Sequence, residues 1–168
     1  MRYRLDVVAP SVAEVVIHAG GWLFDRVMAG WDVTVLVADH PDDRPLQILG
    51  AEPLDLETGL ASMESRAHPQ TLAVATELFD RDARVRQGVL AALERGLTEV
   101  TLWGERWPAE LDDSVDPVQH ELSAAALAFK AQALAAAAVP PVPVGGTETF
   151  RIGMMACRSV AADLVPAS

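Results

Sequence analysis

Residues 35–46 read VLVADHPDDRPL, an apolar run that ends in a histidine and two aspartates. Imidazole and carboxylate are the groups that hold divalent metals such as zinc. His40, Asp42 and Asp43 are thus the first residues to weigh for chemistry, as a metal-binding loop at a strand end. The same residue types, with Pro41 and Pro45, are good turn formers, so a polar turn is the competing reading. The other histidines, His18, His68 and His120, stand apart in the chain and form no H-x-x-x-H or H-E-x-x-H pair.

The stretch His40-Pro41-Asp42-Asp43 resembles part of the zinc-dependent N-acetylglucosamine deacetylase family, the LmbE-like or PIG-L-like enzymes. That resemblance implies His40 and Asp43 as zinc ligands, Asp42 as the base, and His68 or His120 as the third ligand. A zinc held by three side chains keeps a position for water and lowers its pKa toward neutrality. The chain departs from the family pattern in three ways. Arg44 stands where an acidic residue usually follows, PLQILGAE replaces a glycine pair opening a helix, and the loop follows the second strand instead of the first. The likeness covers about six residues.

Other reactive types are scattered. The loop after the first strand, APSVAEVV, has neither G-x-G-x-x-G nor G-x-x-x-x-G-K-[ST], and Glu14 puts a negative charge where a phosphate would sit. A standard dinucleotide or P-loop site is therefore not expected. Ser11 has no nucleophile elbow around it and reads as a helix cap. Cys157, the single cysteine, reads as a small buried residue and permits no internal disulfide. The acidic stretch Glu105, Glu110, Asp112, Asp113 and Asp116 misses the spacing of a calcium loop. Trp22, Trp31, Trp103 and Trp107 read either as the rim of the core or, if exposed, as an interaction surface.

The elements that position these residues follow from the pattern. A chain of 168 residues, half of them hydrophobic, suits one core. Residues 3–8 predict a strand. A capping box, Ser11 with Glu14, starts a helix that runs toward Gly30. Gly20-Gly21 marks either a break in it or a close backbone approach. Residues 32–38, DVTVLVA, predict a strand buried on both faces. Residues 46–56 predict a third extended segment, paired antiparallel across the DHPDDRP turn. Helices are expected at 69–79, 81–95 and 117–138, and strands at 98–103 and 147–152. The expected fold class is α/β, a three-layer Rossmann-like sandwich with a four- to five-stranded, mostly parallel sheet that can include antiparallel strands. The expected domain is 1–139, with 140–168 as linker and C-terminal tail packed on it or on a partner.

The net charge of −11 argues against nucleic acid and anionic membrane as partners. No stretch is a good signal peptide or membrane span, and one cysteine fits a reducing compartment, so a cytoplasmic location is expected. Lys130 is the only lysine among 13 basic residues, a bias of the actinobacterial, high-GC kind. With no coherent catalytic constellation, the leading functional expectation is a non-catalytic binding domain with no cofactor, working through a protein partner or self-association. The alternatives are a zinc-dependent, deacetylase-like hydrolase centred on the HPDD loop, and a diverged nucleotide-binding-like domain without a phosphate loop.

Overall fold

The computed structural model describes residues 2–62, 68–104, 116–140, 143–153 and 165–166. Its elements in order are β1 (Arg4–Ser11), α1 (Val12–Met28), β2 (Asp32–Asp39), α2 (Arg44–Leu49), β3 (Glu52–Asp55), α3 (Leu56–Ala61), β4 (Thr71–Ala75), α4 (Thr76–Arg81), α5 (Ala83–Arg95), β5 (Glu99–Trp103), β6 (Asp116–Glu121), α6 (Ala124–Ala136), β7 (Thr147–Gly153) and β8 (Val165–Pro166). They form one mixed sheet of order β3-β2-β1-β4-β5-β7-β6-β8. The first five strands run parallel, with register pairs such as Val7↔Val35 and Val7↔Ala73. β7 runs antiparallel to β5 and β6, and β8 antiparallel to β6.

Alternation along the central strands builds two cores. Leu5, Val7, Ala9, Val35 and Val37 face α1, α2 and α6. Val8, Leu36, Leu72, Val74 and Leu102 face the opposite way, with Leu78 and Phe79 of α4 and Val85, Val89 and Leu93 of α5. The α/β class and three-layer arrangement agree with the sequence. The sheet has eight strands against the four to five expected, with β4, β6 and β8 added, and three segments differ from expectation for local reasons.

First, residues 46–56 are not one extended segment. Pro45 sits in the first turn of α2, where a missing N–H costs nothing. Leu46 and Leu49, three apart, bury on one face, and Gly50 closes the helix at φ 81°. This six-residue helix suffices as a crossover, so β3 pairs parallel with β2 and not antiparallel across the turn. Second, residues 71–75, TLAVA, are a strand and not part of a helix. All five are buried, and in a strand covered on both faces a continuous apolar run imitates helical spacing. Third, residues 116–121 form β6, and the alanine-rich helix starts only where Ser123 accepts a hydrogen bond from the Ala126 N–H at 3.0 Å.

α1 runs unbroken through Gly20-Gly21, so the pair marks close approach. A Cβ on Gly21 would lie 2.2 Å from Leu122 Cδ2. Beneath that contact is a buried ion pair. Lys130 Nζ donates to Glu148 Oε2 at 2.7 Å and to the Ile17 carbonyl at 2.8 Å. Glu148 in turn accepts from the N–H groups of Gly21 (2.9 Å) and Trp22 (2.7 Å). Burial pushes the Glu148 carboxyl up, against the pull of Lys130 and the two amides. Helix α1 is thereby tied to α6 and to β7, which the segment after residue 140 contributes to the sheet. No helix among the described residues is long and apolar enough to cross a membrane.

Candidate active-site crevice

The HPDD stretch forms a turn between β2 and α2. Asp42 Oδ1 accepts the Arg44 N–H at 3.0 Å, and both Asp42 oxygens take the Arg44 guanidinium at 2.6–3.0 Å. Arg44 holds the Asp42 carboxyl below the usual carboxylate range, which makes it a poor base. The two His40 nitrogens face different carboxylates: Nε2 lies 3.2 Å from Asp55 Oδ1, and Nδ1 lies 3.4 Å from Asp43 Oδ1. Asp55, followed by Asp43, raises the His40 pKa. The His40 ring thus stands between two acids, Asp43 and Asp55.

The third ligand is not supplied either. His68 precedes β4, at the opposite end of the sheet. His120 is buried on β6, with Nε2 2.7 Å from Asp25 Oδ2, and Asp25 also accepts from the Ser123 hydroxyl at 2.6 Å. Among the described residues no three His, Cys, Asp or Glu side chains converge as metal ligands. The side chains that the resemblance implied for zinc thus do not fit a zinc centre.

Trp22, Trp31 and Trp103, read from the sequence as core rim or interaction surface, are buried, at 0%, 7% and 2% exposure. Trp107, Cys157, Glu105, Glu110, Asp112 and Asp113 lie outside the described residues.

The topology points elsewhere. From β1 the chain moves to β2 on one side and later returns to β4 on the other, leaving a crevice beyond the carboxyl ends of β1 and β4, where ligands bind in open parallel sheets. A cavity of about 640 Å³ lies there. The first turns of two helices line it. From α1 come Ala13, Glu14, Ile17 and His18, behind the cap residue Ser11. From α4 come Thr76, Glu77, Asp80 and Arg81. Gly104, just past β5, closes the floor. Its φ is 147°, and a Cβ there would lie 1.9 Å from Thr76 Oγ1, so glycine is required. His18 stacks on Trp103 with ring centroids 6.4 Å apart.

The electrostatics of the crevice centre on Glu14. Burial raises its pKa first and the charge of Glu77 second, while the Trp103 indole N–H pulls the other way. Glu77 Oε1 pairs with Arg81 Nη1 at 3.2 Å, one turn along α4. A half-buried carboxyl with a raised pKa, beside a second carboxyl and a guanidinium, is a group suited to acid–base work.

The sequence had offered Glu14 only as a capping and phosphate-repelling residue. Thr76, Glu77, Asp80 and Arg81 were not singled out because the segments around them read as two helices, 69–79 and 81–95. The signal that could have exposed them is the five-residue apolar run 71–75 between Gln70 and a threonine-led acidic turn.

No family model matches the sequence, and no curated protein matches it. Solved structures do share its fold. A structure of the A40926 pseudoaglycone deacetylase aligns over 94% of this chain and 100% of its own, with a TM-score of 0.64 and 18% identity. A teicoplanin deacetylase in complex with teicoplanin aligns over 90% of this chain and 99% of its own, with a TM-score of 0.62 and 12% identity. A zinc-inhibited form of teicoplanin deacetylase aligns over 92% and 100%, with a TM-score of 0.59 and 12% identity. These neighbours overturn the expectation of a non-catalytic binding domain. That expectation rested on the lack of a catalytic constellation in the sequence, whereas solved deacetylases share the fold over 90–94% of the chain.

Proposed function

We propose that the chain is a hydrolase that removes an acyl group from nitrogen or oxygen, with the substrate held in the crevice beyond β1 and β4. The observation that carries this reading is the coincidence of two things. The fold is shared over 94% of the chain with a solved deacetylase, and a cavity of about 640 Å³ lies at the strand ends where parallel sheets take their ligands. The crevice offers what deacylation asks for: a tunable carboxyl in Glu14, a guanidinium in Arg81 for charge developing on the carbonyl oxygen, and an apolar wall at Ile17. Of the sequence-level alternatives, the deacetylase-like hydrolase is the one the neighbours support. Its centre is moved from the HPDD turn to the crevice, and no step is routed through zinc, because the candidate ligands do not fit one.

The test is release of free amine or alcohol from a panel of N-acyl and O-acyl compounds, from acetyl to longer chains. The expected result is turnover of at least one class, reduced about tenfold or more by Ile17→Trp, which narrows the cavity, since misplacing a substrate by about 1 Å can cost 100-fold. No turnover across the panel, or turnover unchanged by Ile17→Trp, refutes the reading.

A further inference from the structure

We infer that the substrate carries an extended peptide chain beside its acyl group, and that this chain pairs with an open edge of β7 at Thr147 and Thr149. The inference deepens the hydrolase reading and rests on it for the acyl group. A second cavity, of about 310 Å³, adjoins the crevice. It shares Ile17, His18 and Gly104 with the first, and Thr147, Glu148 and Thr149 of β7 form its far wall. The two cavities meet over Gly104, where Thr76 leaves no room for a side chain.

That far wall is a strand with one side open. β5 pairs with β7 from Val100↔Gly153 to Leu102↔Arg151 and ends at Trp103. β7 reaches on to Thr147, held there by β6 through Gln119↔Thr149 and Glu121↔Thr147. Among the described residues no strand pairs with residues 147–149 on the β5 side. One hydrogen bond fixes which backbone groups face that side. The Leu122 N–H donates to the Gly146 carbonyl at 2.9 Å, so residue 146 is turned toward β6. Backbone groups alternate sides along a strand. Glu148 is therefore turned toward β6 as well, and Thr147 and Thr149 direct their N–H and C=O groups into the second cavity.

The edge is fixed in place. Glu148, between the two threonines, accepts the N–H groups of Gly21 and Trp22 and the Lys130 ammonium. Lys130 also donates to the Ile17 carbonyl at 2.8 Å. The α1 wall and the β7 edge are thus clamped together before a ligand arrives, which lowers the ordering cost of binding. Two donors and two acceptors, repeating about 7 Å apart along the strand, match the backbone of an extended peptide of about three residues. A simple acylated amine has no such repeat. A peptide on this edge places a group at its end across Gly104, in the larger cavity.

The experiment is amide NMR on the full chain. In the free protein the Thr147 and Thr149 amides are expected to exchange with solvent about tenfold or more faster than those of Glu148 and Phe150, which face β6. Acetyl-trialanine amide is then titrated in, beside the same peptide methylated at its backbone nitrogens. The expected result is shifts at the Thr147 and Thr149 amides, with binding about tenfold weaker for the methylated peptide, the scale of one hydrogen bond. Thr149→Pro removes an N–H that serves no ladder bond, so it is expected to fold and to lose the peptide, while Thr149→Ala keeps it. The methylated peptide reads the same contact in wild type, whatever Thr149→Pro does to folding. Slow exchange of both threonine amides in the free protein would overturn the inference. So would equal binding of the two peptides, no shifts at millimolar peptide, or self-association that Thr149→Pro abolishes, which would give the edge to a second copy. Peptide binding at the edge of a protein that turns over no acyl compound would sink the hydrolase reading and leave the edge standing. Turnover of acyl compounds with no peptide bound there would do the reverse.

Discussion

Replacing Glu148 by glutamine tests how the buried ion pair holds the crevice wall. Lys130 and Glu148 side chains are 7% and 2% exposed, and the ammonium has two partners, the carboxylate at 2.7 Å and the Ile17 carbonyl at 2.8 Å. The carboxylate itself is costly to bury, as its raised pKa records. The loss on substitution therefore falls on Lys130, whose amino group loses its countercharge. Removing one partner of a buried pair costs about 3–5 kcal/mol. For a chain of this size, with about 2–4 °C of Tm per kcal/mol, the expected drop is about 6–20 °C.

Thermal unfolding at neutral pH, followed by circular dichroism, reads it directly. The double variant Lys130→Met with Glu148→Gln is expected to cost less than the two single changes added, because no unpaired charge remains, although the amides of Gly21 and Trp22 are still poorly served. A Tm within about 2 °C of wild type for Glu148→Gln, equivalent to less than about 1 kcal/mol, would refute the reasoning.

Gly21→Ala is expected to destabilise. The clash of the added Cβ, 2.2 Å from Leu122 Cδ2, costs about 1–3 kcal/mol, only partly offset by about 1 kcal/mol of helix propensity. Leu122→Ala should then cost less in that background than in wild type, as chemical denaturation would show, and strict additivity would contradict the steric account. His40 has its pKa raised, chiefly by Asp55, so the folded value lies above the unfolded one. Its stabilisation is full below about pH 6.5 and is lost as pH rises through the folded value. The stability difference between wild type and His40→Gln should therefore shrink from pH 6 to pH 9. Proton NMR should place the His40 midpoint above about 6.5 and show it fall in Asp55→Asn. A midpoint unmoved by Asp55→Asn would remove the proposed contact.

Much of the frame was legible in the sequence. Ser11 with Glu14 announces α1, and the structure has the Ser11 hydroxyl accepting the Glu14 N–H at 3.2 Å. DVTVLVA and TEVTLW are strands because β-branched and aromatic residues crowd them, and Gly96 ends α5 at φ 67°. What escaped were short elements set by tertiary contact. β4 is five residues that bury completely, and β6, with His120 and a proline, has little strand character of its own and is held by β7, some thirty residues later.

The site escaped for the same reason. Its chemistry is divided between the starts of α1 and α4, which meet only because β1 and β4 are neighbours. The HPDD turn, in contrast, gathers its acids within a few residues, which is why it drew attention first. It ties Asp42 to Arg44 and sets His40 between Asp43 and Asp55.

The most direct measurement compares acyl release by wild type, Glu14→Gln and His40→Ala on one responsive substrate. Loss of about 100-fold or more in Glu14→Gln, the scale of a missing acid–base group, with activity kept in His40→Ala, is the result this account requires. Activity that survives the first change and disappears with the second would return the chemistry to the HPDD turn.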